Sequence, residues 1–288
     1  MKKGKKKLYL ILFIVFLVIA LICAVCLMLR EYRLYNSEKI YESLSAEMEK
    51  ESEVVSETGT ETETETEPLS ARQIKINEYS EQLGISVPDR DIDFVKLHDT
   101  VSEDIYAWIY IPETNVDYPV FQHPTDNAYY LEHNVDGSEG YPGCIYTENY
   151  NSKDFMDPQT VIYGHNMRDG TMFSDLHKYE DEDFFDANRY VYIYTEEDVF
   201  VYRIFAAYQT DNRHQLLNYD FSVDGALSGY LEGIMATQGE NVIIDRDTEY
   251  KDNSRVLTLS TCVMKERQFH LRYLVQALLV EIHGTETE

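Results

Sequence analysis

The chain has 288 residues, with 52 Asp and Glu against 25 Lys and Arg and a formal net charge of −27. A surface so acidic repels phosphate backbones, which argues against nucleic acid as a partner. Acidity also suits calcium, but no stretch has the D-x-[DN]-x-[DN]-G spacing of a recognised calcium loop.

Lys2, Lys3, Lys5, Lys6 and Lys7 precede an uncharged apolar run over residues 8–29. At about 1.5 Å per residue, that run is long enough to cross a hydrocarbon core of about 30 Å. It reads as a transmembrane helix, with the basic segment 1–7 cytoplasmic and everything after Arg30 outside. The competing reading is a cleaved signal peptide, but the run exceeds the usual apolar region of about 7 to 15 residues and no small-x-small site follows it. Cys23 and Cys26 fall inside the span, where membrane packing is the simpler role. Residues 30–70 read as an acidic spacer. Tyr32, Leu34, Tyr35, Ile40, Tyr41 and Leu44 allow a short helix leaving the membrane, but from Glu47 on the chain is Glu, Ser and Thr. Such a stretch has little to bury and repels itself, so it is expected to be extended and disordered, a tether between membrane and domain.

Residues 71–288 are enough for one domain with a sizeable core. Short helices are expected at 74–83 and 91–97. Strand patterns then recur at 106–111, 116–121, 145–146, 160–163, 190–195, 199–208, 256–261 and 271–282, with helices at 171–178, 181–187 and 225–237. Many short strands joined by Gly, Pro and Asn turns predict a mainly β fold, a closed sheet or a sandwich.

Three chemically capable side chains stand beside these strands: His165 in Tyr163-Gly164-His165-Asn166, Cys262 at the end of Thr258-Leu259-Ser260-Thr261-Cys262, and Arg272 on the next strand. A thiol, an imidazole and a guanidinium are the nucleophile, proton carrier and oxyanion stabiliser of acyl transfer. Strand alternation puts Val256, Thr258, Ser260 and Cys262 on one face. Arg272 shares a face with Leu274, Leu278 and Val280, an expensive place for a charge that nothing uses. A hairpin brings Cys262 and Arg272 to one end of the sheet. Arg267 competes with Arg272, although a loop arginine is ordinarily just solvated. Cys144 lacks a comparable context and reads as a packing residue or a second thiol. His98, His123, His133, His177, His214, His270 and His283 read as structural or solvent-facing.

The His165 and Cys262 motifs, with Arg272-Tyr273, resemble the catalytic signature of sortases, and Ser260 two residues before the Cys resembles class B. Trp108-Ile109-Tyr110-Ile111-Pro112, Asn115-Val116-Asp117-Tyr118-Pro119-Val120, Asp126-Asn127-Ala128-Tyr129-Tyr130-Leu131 and the run from His165 to Phe173 agree. The resemblance covers roughly 75–283. One departure is local: a small residue such as Ser is expected where Cys144 stands, and Asp in place of Glu148. The resemblance implies a β-barrel of about eight strands, N-terminal helices and a helix in the insertion between strands six and seven, here 211–250. It makes 71–288 an extracellular catalytic domain of a cysteine transpeptidase. It implies that Cys262, His165 and Arg272 cut a C-terminal sorting motif through a thioester and pass the acyl group to a peptidoglycan amine. Asn127, Ser260 and Thr261 would touch substrate, though Asn127 suits a turn nearly as well. The scheme requires no metal or organic cofactor. A papain-like protease would place its Cys before its His and at a helix start. The alternatives kept are a pilus-polymerising sortase, which would usually carry an Asp-Pro-aromatic lid and a second span, and a non-enzymatic wall-tethered binding module.

Overall fold

A computed structural model describes residues 2–57, 69–263 and 270–282. Helix α1 spans Lys2–Glu57 without interruption. This corrects the spacer expected from residue 30: as far as Glu57 the segment is helical, and 58–68 lie outside the described residues. Two physical reasons account for it. The apolar run has already met the cost of nucleation, after which Glu, Lys, Ala and Ser propagate a helix readily. The segment also has a docking surface, since Tyr41 and Leu44 are 6% and 8% exposed. Around them Arg33 Nη1 donates to Glu139 O at 2.7 Å, Asn36 Nδ2 to Asp136 Oδ2 at 3.0 Å and Ser45 Oγ to Asp117 O at 3.3 Å.

Two short helices follow, α2 at Ala71–Leu83 and α3 at Phe94–Thr100. Each starts at a capping side chain: Ser70 accepts from Gln73 N, and Asp93 from Lys96 N. These caps set the starts, so α3 begins later than the apolar pattern suggested.

The strands are β1 Ile105–Tyr110, β2 Asp117–Phe121, β3 Ile145–Thr147, β4 Gln159–Tyr163, β5 Tyr190–Tyr194, β6 Val199–Asp211, β7 Ile243–Ile244, β8 Val256–Cys262 and β9 Leu271–Leu279. They form one sheet in the order β5-β1-β2-β3-β4-β8-β9-β6-β7, and β5 also pairs with β6. That pairing closes eight strands into a barrel and leaves the two-residue β7 appended to β6. Closure removes the sheet edges. Two pairings are parallel, β2 with β3 and β4 with β8.

Three helices lie between strands: α4 at Tyr129–Glu132, α5 at Glu182–Ala187 and α6 at Ala226–Met235. The helix expected at 171–178 is a tighter 3-10 turn over Ser174–Glu180. Its start is delayed because residues 166–172 are folded back on themselves by an Asn166 to Met172 bridge, with Phe173 N bonded to His165 O at 2.9 Å.

Alternation along β8 and β9 divides the apolar residues as the pattern requires. Leu257, Leu259, Tyr273, Val275 and Ala277 fill the barrel, whereas Val256, Leu274 and Leu278 pack outside it against Leu227, Tyr230, Leu231 and Ile234, residues of α6. A buried polar network pins that helix down. Gln159 Nε2 donates to Tyr230 Oη and Thr258 Oγ1, Thr258 Oγ1 to Gln276 Oε1, and Gln276 Nε2 to the hydroxyls of Tyr208 and Tyr230. The 211–250 insertion is thus part of the packed structure.

Candidate active site

The parallel pairing of β4 and β8 assembles the site. Tyr163 lies opposite Ser260, so His165 and Cys262 each stand two positions beyond a matched pair and leave the barrel at the same rim. The contact continues past the ladder: Gly164 N donates to Ser260 O at 3.1 Å, and Thr261 Oγ1 to Gly164 O at 2.8 Å. Gly164 is needed there, because a Cβ would lie 2.5 Å from Ile145 Cδ1 and 2.6 Å from Phe173 Cγ. On the other side of β8, Cys262 pairs with Arg272 in the antiparallel ladder to β9. Register therefore carries the three residues to one rim of the barrel.

Cys262, His165 and Arg272 are each half-buried. His165 Nε2 lies 3.0 Å from Leu131 O, and its ring sits 4.9 Å from that of Tyr141. With a carbonyl as partner, Nε2 carries the proton and Nδ1 remains as the nitrogen free to take one. Burial pushes the His165 imidazolium below its ordinary range, and the Arg272 charge pushes the same way against the Leu131 carbonyl. Around neutral pH the ring is held neutral, a state able to accept a thiol proton.

Tyr146 and Tyr163 stack at 5.4 Å between centroids, and burial raises both phenols although the Arg272 charge opposes it. Tyr163 Oη donates to Glu148 Oε2 at 3.2 Å, and Glu148 Oε2 is 2.8 Å from His214 Nε2. The insertion between β6 and β7 is thereby tied to this wall. Neither Glu148 nor His214 was singled out from the sequence as part of the site; the only sign was Glu148 standing where Asp was expected. Asn166 and His177 were missed too, and both donate to the carbonyl of Cys262.

Other candidates fall elsewhere. Ser260 and Thr261 are 4% and 2% exposed, so their side chains lie beneath the rim, Thr261 occupied with Gly164. Asn127 Oδ1 accepts from Asn149 N at 2.7 Å and joins two loops on the Glu148 side. Cys144 is fully buried with Sγ 3.4 Å from His133 O, and burial pushes its thiol up to about 12. It is a core residue. Arg267 lies outside the described residues.

A closed barrel carrying a thiol, an imidazole and a guanidinium at one rim has the composition of a cysteine acyl-transfer enzyme. The sortase-domain family model matches residues 109–280. Sortase B of Listeria monocytogenes is 32% identical over 180 residues, 62% of this chain and 71% of that protein. Among solved structures, Clostridium perfringens sortase B superposes with a TM-score of 0.56 at 29% identity, over 66% of this chain and all of that one. A Streptococcus pyogenes class B sortase involved in pilus biogenesis gives 0.56 at 26% identity, over 66% and 98%. The chain belongs to the sortase family of cysteine transpeptidases, and its relatives are of class B.

Proposed function

We propose that the protein is a membrane-anchored transpeptidase that cleaves a C-terminal sorting motif of secreted proteins and transfers the acyl group to a cell-wall amine. The observation that supports this reading is the β4–β8–β9 register, which brings Cys262 and His165 out at one rim and pairs Cys262 with Arg272. Cys262 Sγ, as thiolate, attacks the scissile carbonyl carbon while Arg272 holds the oxyanion. His165 carries the proton taken from the thiol to the departing amine, which leaves a thioester on Cys262. An amine of a peptidoglycan precursor then attacks the thioester, gives up its proton through His165, and restores the thiol. In this reading Asn127, which joins two loops beside Glu148, contacts substrate, and the buried Ser260 and Thr261 act from beneath the rim as support for Cys262. Residues 1–7 would be cytoplasmic, 8–29 membrane-spanning and 71–288 extracellular. The helix long and apolar enough for a span supports this layout.

A pilus-linked role is the second reading, favoured by the likeness to the Streptococcus pyogenes enzyme. It differs in acceptor, a lysine of another protein in place of a wall-peptide amine. Incubation of the full chain with a sorting-peptide panel and both acceptors decides. A thioester at Cys262, absent in Cys262→Ala, with product on the wall amine supports the proposal. Product on protein lysine alone selects the second reading, and an adduct on Cys144 would sink both.

A further inference from the structure

Cys262 is the last residue of β8, and its carbonyl oxygen accepts from two side chains, Asn166 Nδ2 at 2.9 Å and His177 Nε2 at 3.2 Å. An sp² oxygen has two lone pairs, so both are used. Each donor comes from the segment after β4 that carries His165: Asn166 follows it directly, and His177 lies in the 3-10 turn over Ser174–Glu180. His177 is itself fixed on three sides. Its Nδ1 is 2.7 Å from Glu180 Oε1, and its ring stacks on Tyr273 at 4.7 Å and 26°. The groups facing it are Glu180 from its own turn, Tyr273 from β9 and the Cys262 carbonyl from β8. A carbonyl only accepts, so Nε2 is the donor to Cys262 O, and Glu180 holds the ring from its other nitrogen.

Pairing of β4 with β8 ends at Tyr163 and Ser260. Beyond it, the Gly164 contacts hold the residues before His165 and Cys262, and the carbonyl contacts hold the pair itself. We propose that Asn166 and His177 are positioning residues that clamp the Cys262 carbonyl to the His165 segment and so keep thiol and imidazole in register. This rests on the proposed roles of Cys262 and His165. A thiol that strays by about 1 Å from its proton carrier is enough to cost large factors in rate.

The test is the rate of alkylation of Cys262 by iodoacetamide in the full chain in detergent micelles, followed by peptide mass spectrometry from pH 5 to 10. Asn166→Ala and His177→Ala should each slow alkylation at pH 7 by about 10-fold and move the half-maximal pH upward, as expected when the imidazole no longer sits where it can take the proton. His177→Gln keeps an N–H donor at similar reach and should stay within about 2-fold of wild type. Should His177→Ala unfold, Asn166→Ala against His177→Gln still decides. Wild-type behaviour of both alanine variants overturns the clamp, as does a His177→Gln variant as slow as His177→Ala. A wild-type Cys262 no more reactive than in unfolded chain would remove the nucleophile reading, and the clamp with it.

Discussion

Arg272 faces Cys262 across the β8–β9 ladder, and its charge is felt at His165, Tyr146 and Tyr163. A lysine would keep the charge but lose the planar pair of N–H donors. Arg272→Lys is therefore expected to lower kcat and kcat/KM together by about 10²-fold. A rise in KM with kcat unchanged would move Arg272 to ground-state binding. Cys144 offers a contrast. With its thiol pushed up to about 12 by burial, only about 10⁻⁴ of it is thiolate at pH 8, so iodoacetamide should label Cys144 only after denaturation. Labelling of Cys144 in the folded protein would contradict that burial. The residues of the proposed triad were legible because each sits at the end of a strand pattern inside a short motif. His177 was not, because its partner is a backbone carbonyl 85 positions away, and a main-chain acceptor leaves no mark on the sequence.

The barrel strands were legible from alternation, and the insertion helix from its apolar spacing. What alternation does not carry is pairing. Nothing in residues 159–163 announces a parallel partner at 256–260, yet that pairing creates the site. Gly164 is the element-level weak point, since any side chain there meets Ile145 and Phe173. Gly164→Ala should therefore shift the two strand ends apart and cost at least about 1 kcal/mol of overpacking strain, with activity falling further than stability. Equal losses in melting temperature and turnover would show that the position matters only for packing. The extension of α1 was misread for the opposite reason. Composition alone described residues 30–57, whereas Tyr41 and Leu44 are buried by a surface that only the folded domain provides. A protein beginning at residue 71 is thus expected to melt several degrees below one beginning at residue 30, given about 1.5 kcal/mol or more for each large apolar side chain left without cover. Identical melting temperatures would mean that this packing contributes nothing.

At the scale of the molecule, an apolar helix and a folded acidic domain share one chain. If residues 8–29 remain in the membrane, protein from intact cells should keep its N-terminus and sediment with membranes, and residues 71–288 should react with impermeant labels added outside. A mature N-terminus near residue 30 in the medium would refute the anchor. The charge balance was legible, and so was the apolar run; the mechanical character of the join was not. Because α1 passes from the apolar run into its docking site on the domain as one helix, the join is a strut. At about 1.5 Å per residue, the distance from Leu29 to Tyr41 along it is about 18 Å. On the proposed topology, that strut sets the spacing between the bilayer and the face of the domain on which Tyr41 and Leu44 are buried. A domain held on such a strut moves with its anchor, where a disordered tether would let it roam. If the proposed function holds, sorting-motif clients and the amine acceptor would have to come to the domain, because the strut does not let the domain range out to them.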